Sequence, residues 1–422
     1  MTMNKILRLA ANAALFLVSV GGSTLPVIGP AHAANTSEPV PVFEVDPTWA
    51  PQLPNGWVLG VTSKIAVDSH DNVWIIHRPR TVPAGKVAAP PVVELGPDGT
   101  FIRAWGDENA TAYDWPDAEH NVYVDQNDNV YISGSSPSGQ SKTARSDDMI
   151  LKFTVDGKFL KEFGGRTVSK GSLDHNAVNK PGDIYVWPKT NELFVADGYG
   201  NRRVLVLDAD TFAFKRLWGA FGKPPADDAN SGGPGANGGP ARLPGQAAAE
   251  GANAPKVLDT EGPGNNQFSS PVHGILVSND GIVYVADRIN RRVQLFTPDG
   301  KYLTQVFLNR AGPSSDSVSG MAFSPDPAQK YLYLSDFGNS HIAVLDRKTL
   351  TVLYQFGLRG KEPGNFRGVH HIAVDSKGNL YTAEVAPGAR AQKFIYKGLS
   401  PTLPPNALTP EQLAAKPLTP GG

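Results

Sequence analysis

The chain contains no cysteine. That excludes a disulfide framework and a thiolate metal centre, and leaves histidine, carboxylates and carbonyls as the available metal ligands. It also has almost no net charge: 39 Lys and Arg stand against 40 Asp and Glu. Such a balance gives no electrostatic basis for a nucleic-acid partner or an anionic membrane surface. Long hydrophobic runs are missing beyond the first residues, so no membrane partner is expected for the mature chain.

The first residues read as an export signal, residues 1–33. Lys5 and Arg8 form a basic start, residues 10–20 are apolar but too short to span a bilayer, and Ala31-His32-Ala33 is a small-x-small cleavage site. The mature protein is therefore expected to begin near Ala34 and to be exported, periplasmic or secreted. At 422 residues, with 40% hydrophobic and 19% charged positions, the rest has ordinary globular composition and is long enough for a large core without disulfides.

What is abundant is turn residues, 44 Gly and 36 Pro, which implies many short strands. One pattern recurs six times: a short alternating apolar strand, a turn with Asp, Asn or Gly, a second apolar strand, then two more. The first strands begin near Ile65, Val122, Ile184, Ile275, Met321 and Ile372. Six four-stranded units predict an all-β fold, a six-bladed β-propeller over residues 34–400. Asp197-Gly-Tyr-Gly-Asn201-Arg-Arg203, Asp287-Arg-Ile-Asn290-Arg-Arg292 and Asp336-Phe-Gly-Asn339 resemble the Asp-x-x-Asn-x-Arg signature of NHL repeats. Their Asp, Asn and Arg side chains are expected to tie turns together. Blade six lacks an outer strand of its own, and Val40–Val45 is positioned to supply it. Residues 223–265 form a Gly/Pro/Ala-rich insertion, and residues 401–422 a Pro-rich tail, expected to be extended.

Three of the nine histidines occupy one repeat position, two residues before the apolar start of the first strand: His120, His273 and His370. They fall in blades two, four and six, ~120° apart around a six-fold channel, which is the symmetry a three-imidazole metal site requires. Blades one, three and five carry Ser63, Gly182 and Ser319 there. Imidazole ligands without thiols favour zinc. His70, His175 and His341 share no such relation and are expected at turns or the surface. Antiparallel pairing brings the ends of the second strands to the same mouth. There Arg78, Tyr199 and Arg288 are candidates, the arginines to bind a carboxylate and the phenol to act as a base.

At these residues the chain resembles peptidyl-α-hydroxyglycine α-amidating lyases, zinc-dependent six-bladed propellers. The resemblance runs from about Gly60 to Phe394, interrupted by the insertion. It is strongest in Ile76-His77-Arg78, Val195-Ala196-Asp197-Gly198-Tyr199-Gly200-Asn201, Val272-His273-Gly274-Ile275, Val285-Ala286-Asp287-Arg288 and Val369-His370-His371-Ile372. It implies His120, His273 and His370 as zinc ligands, Tyr199 as catalytic base, and Arg78 and Arg288 as active-site arginines. The implied reaction cleaves a carbinolamide N–C bond to give an amide and glyoxylate. The family has a cysteine where Gly200 stands, so the disulfide implied by the resemblance is absent. The family's calcium position matches the carbonyls of Ile65 and Val122, but its aspartate is replaced by His371. A neutral imidazole suits hard calcium poorly. No copper-hydroxylase segment is recognisable within these residues, which widens the expected substrate to small α-hydroxy or carboxylated compounds as well as peptide-derived ones. A lactonase-like metal-dependent hydrolase and a non-catalytic NHL binding protein are the competing readings.

Overall fold

The computed structural model describes residues 38–227, 261–312, 314 and 316–414. Residues 1–33, expected to be an export signal, residues 228–260 of the insertion and residues 415–422 of the tail lie outside them.

Six four-stranded antiparallel sheets follow one another along the chain. Their innermost strands are Val61–Val67, Glu119–Val124, Asp183–Trp187, Val272–Val277, Val318–Phe323 and Val369–Val374. Blades one to five are each built from consecutive segments. Blade six has three, ending in Arg390–Ser400, and its outer strand is Val40–Val45, paired antiparallel from Val40–Ser400 to Val45–Phe394. The ring is thus closed by pairing a strand near the start of the described residues with one near their end, which gives blade six the same four strands as the other blades.

Apolar residues alternate along each strand, and both faces of every sheet meet a neighbouring blade. The core is accordingly divided into clusters between blades. Trp74, Trp115 and Phe153 lie between blades one and two, Tyr131, Ile150 and Val195 between two and three, and Trp49, Ile75 and Tyr381 between six and one. The cluster between blades five and six incorporates Val40 and Phe43.

The repeat signature does the work expected of it. Asp197 accepts hydrogen bonds from Asn201 Nδ2 at 2.7 Å and Arg203 Nε at 2.8 Å, while its other oxygen takes the Asn179 N–H at 2.8 Å. Asp287 repeats this with Asn290, Arg292 and the Ser269 N–H. Both arginines are fully buried, and each is paired and donates to carbonyls, as a buried charge must. In blade five Asp336 holds Asn339, and His341 stands at the arginine's place, donating from Nδ1 to Gly357 O at 2.8 Å. His341 is therefore buried rather than at the surface. Beyond Ser400 the tail turns back instead of running off. Ala407 bridges Phe356, Leu408 N–H bonds Gln355 O, and a short helix, Pro410–Ala414, follows.

The closing strand gives the first test. Phe43 is buried against Tyr333, Phe356 and Tyr396, with ring centroids 5.3–6.0 Å away. Phe43→Ala should cost ~3–5 kcal/mol in denaturant unfolding. Ile395→Ala, at an exposed position on the partner strand, should stay within ~0.5 kcal/mol of the parent.

Candidate metal centre

The histidines reach the channel through a local irregularity that every blade but the third shares. At the head of the innermost strand the ladder register jumps: between Thr62 and Lys64, Glu119 and Asn121, Val272 and Gly274, Val318 and Met321, and Val369 and His371. The residue left over is Ser63, His120, His273, Ser319 with Gly320, or His370. These are β-bulges, which re-aim a side chain that strict alternation would send elsewhere. In blade three Gly182 holds the position, and a Cβ there would lie 2.9 Å from His273 Cα. Only glycine lets blade four approach so closely.

Two of the rings are pinned by the next blade. His273 Nδ1 lies 2.6 Å from Ser319 O, and His370 Nδ1 lies 2.7 Å from Ser63 O. A carbonyl can only accept, so both Nδ1 atoms carry the proton and both Nε2 atoms present a lone pair. Those two Nε2 atoms are 3.0 Å apart. Two lone pairs facing each other at that distance repel, and a cation between them removes the conflict. His120 Nε2 and His273 Nε2 each lie within 3.1 Å of the Tyr199 hydroxyl. The adjacent His371 joins them: one ligating nitrogen from each of His120, His273, His370 and His371 lies within 4.8 Å of the others. Burial pushes all four imidazoles well below their ordinary pKa; neighbouring histidines, arginines and Lys64 push further. They are therefore neutral at pH 7, the state a metal needs. His120 Nδ1 and His371 Nε2 are buried with no hydrogen-bond partner among the described residues. The donor set, its protonation and these orphaned atoms fit a borderline divalent ion such as zinc.

Arg78, Tyr199 and Arg288 are brought to this cluster, each at or just after the end of a second strand. Tyr199 is gripped through its backbone, N–H to Lys180 O at 3.2 Å and O to Ser270 Oγ at 2.9 Å. Tyr199 is half-buried as a residue, and the protein around its phenol pushes its pKa up. Arg288 and Arg78 pull it partly back. Arg288 makes a two-point ion pair with Asp316 and stacks over Phe337 at 4.0 Å. Arg78 donates to Glu119 O, Gln140 Oε1 and Ser135 Oγ, and among the described residues no carboxylate touches its guanidinium.

The residue after each repeat-position residue belongs to a second ring, of which only His371 stood out in the sequence. Reading round the blades, it is Lys64, Asn121, Asp183, Gly274, Gly320 and His371. Lys64 Nζ is ion-paired with Asp183 and donates to Asn121 Oδ1 at 2.7 Å; both charged side chains are 8% exposed. This adds to the misfit with calcium that His371 already implied. Lys64 and Asn121, next to Ile65 and Val122, form a fixed ammonium with its partner, and His371 turns to the imidazole cluster. A second cation would meet the Lys64 charge, and Asp183, the carboxylate of this ring, is already paired with it. The available signal was a column of polar or glycine residues inside an otherwise apolar strand. Asp316 and Gln140 lie on irregular loops and carry no repeat signal, while Phe337 holds in blade five the signature position that Arg288 holds in blade four. On the far side of Lys64 and His371 the channel widens into a cavity of about 370 Å³ bordered by Tyr123 and Tyr185.

Two measurements test these electrostatics. Lys64→Met strands the buried Asp183 charge and should cost ~3–5 kcal/mol in urea, and adding Asp183→Asn should restore much of it. His77, beside Arg78, accepts the Gly60 N–H at Nδ1 and donates from Nε2 to Pro90 O, both at 3.0 Å. Burial lowers its pKa to about 4. The unfolded ring titrates near 6.5, so the unfolded state takes up a proton first as pH falls. Stability is full above pH 6.5 and drops as pH falls toward 4, by about 3 kcal/mol for this group. His77→Gln should show a correspondingly smaller loss between pH 7 and pH 4.5.

No family model matches the chain. It is 26% identical over 316 residues to NHL repeat-containing protein 3 of Mus musculus, covering 72% of this chain and 70% of that protein. To the Homo sapiens protein of the same name it is 25% identical over 367 residues, covering 84% of each. A streptogramin B lyase structure aligns at a TM-score of 0.46 and 12% identity, over 85% of this chain and 98% of that one. With its six closed blades and its buried Asp–Asn–Arg ties, the chain is an all-β, six-bladed propeller of the NHL-repeat type.

Proposed function

We propose that this propeller is an exported zinc-dependent lyase, of the amidating-lyase kind, acting on a small carboxylated α-hydroxy amide. The observation that carries the reading is the convergence at one mouth. Three imidazole Nε2 atoms contact a phenol or one another at 3.0–3.1 Å, and Arg78 and Arg288 act electrostatically on that same phenol.

His120, His273 and His370 would hold the ion. When bound, zinc supplies the positive charge that polarises a substrate hydroxyl and lowers the pKa of groups beside it. The remaining roles belong to side chains. Arg78, which among the described residues has no carboxylate partner, would hold the substrate carboxylate through its guanidinium fork. Arg288 is held rigid by Asp316 and Phe337, and its fixed charge favours the phenolate of Tyr199. Tyr199 then takes the proton of the α-hydroxyl. The C–O electron pair forms the aldehyde carbonyl, the C–N bond breaks, and the departing amide nitrogen recovers the proton from Tyr199. The products balance as a primary amide and glyoxylate.

The test uses purified protein assayed for zinc and for glyoxylate release from an acyl-α-hydroxyglycine. The parent should contain zinc and turn over. Tyr199→Phe should keep zinc and lose ~10²–10⁴-fold in kcat. Unchanged turnover in that variant removes the base role. Zinc without turnover on this substrate or on lactones leaves a metal-binding NHL protein, the reading suggested by relatives named for their repeats alone.

A further inference from the structure

We infer that His371 is a fourth ligand of the same metal, making the resting site a four-imidazole centre closed on the side of the far cavity. The inference rests on the metal reading above and concerns a residue that reading leaves without a role.

Strict strand alternation would place His370 and His371 on opposite faces. The register jump between Val369 and His371 removes that alternation. The His371 ring lies 4.7 Å from that of His370, 4.9 Å from that of His273 and 5.8 Å from that of His120. Its room comes from blade five, where a Cβ on Gly320 would stand 2.8 Å from His371 Cα. His371 Nε2 is buried and has no hydrogen-bond partner among the described residues, although Lys64 bonds both Asn121 and Asp183 nearby. A buried imidazole nitrogen left unsatisfied costs ~1–3 kcal/mol, and coordination answers it.

Distances agree. Nitrogens held ~2.0–2.1 Å from a tetrahedral zinc stand roughly 3.4 Å from one another. The His273 and His370 nitrogens are 3.0 Å apart and no pair in the cluster exceeds 4.8 Å, so small side-chain movements suffice. The chemistry follows. Four neutral donors leave the full divalent charge uncompensated, with Arg78 and Arg288 adding to it at the mouth. An anionic substrate entering beside Tyr199 would become a fifth ligand, an expansion zinc tolerates.

The experiment uses the full chain loaded with cobalt(II) and compares the parent with His371→Asn by paramagnetic proton NMR, counting hyperfine-shifted imidazole signals. Zinc affinity is measured alongside by chelator competition. Four shifted rings in the parent, three in the variant, and a loss of zinc affinity beyond ~100-fold, the upper range for residues that merely support a ligand, establish the fourth ligand. Should His371→Asn not fold, His371→Ala is read the same way, and the count in the parent stands by itself. Three shifted rings in the parent, with stoichiometric metal, overturn the inference and leave the three-histidine reading intact. A parent that binds neither metal overturns both.

Discussion

A hydrogen bond between neighbouring blades sets the chemistry of this channel. The carbonyl oxygens of Ser319 and Ser63 accept from Nδ1 of His273 and His370, which fixes the tautomer and turns both Nε2 lone pairs toward one point. The second of these bonds joins blade six to blade one, so it exists only because the ring closes. Closure in turn depends on Val40–Val45 completing blade six. The N-terminal segment, far from the channel in sequence, is thereby coupled to the orientation of a candidate metal ligand.

The same structure shows how a propeller bears so many buried charges. Arg203 and Arg292 are fully enclosed, as are Asp197 and Asp287. Each pair is satisfied by further backbone donors and acceptors, the condition under which a buried ion pair is tolerated. These ties stand immediately beside the residues of interest. Asp197 precedes the Tyr199 loop, and Asp287 precedes Arg288. The structural signature of the repeat therefore also places the mouth residues, and a substitution in it would disturb fold and site together.

Charge is unevenly distributed along the channel. At the histidine mouth the arginines outnumber the carboxylates in contact with them, because Arg78 bonds only neutral groups. Farther in, Lys64 and Asp183 compensate each other. An anion is thus favoured at the mouth, while the interior pair adds little net field.

How much of this was legible depends on range. Strand number, blade count, the Asp–Asn–Arg ties and the alternating-blade histidines follow from short-range patterns, since a two-residue alternation and a repeat period are properties of the chain itself. Arg78, Tyr199 and Arg288 could be placed at one mouth because antiparallel pairing makes strand ends predictable. The bulges could not be read, since an extra residue is defined only against its partner strand. With them went the position of His371, which alternation assigns to the wrong face, and the second ring of Lys64, Asn121 and Asp183, whose members are 119 positions apart at the extremes. Asp316 likewise comes to Arg288 from a loop without periodicity. Sequence by itself determined which residues recur at equivalent positions. Only the closed ring decided which of them touch, because those contacts are made between blades, across distances that no local pattern spans.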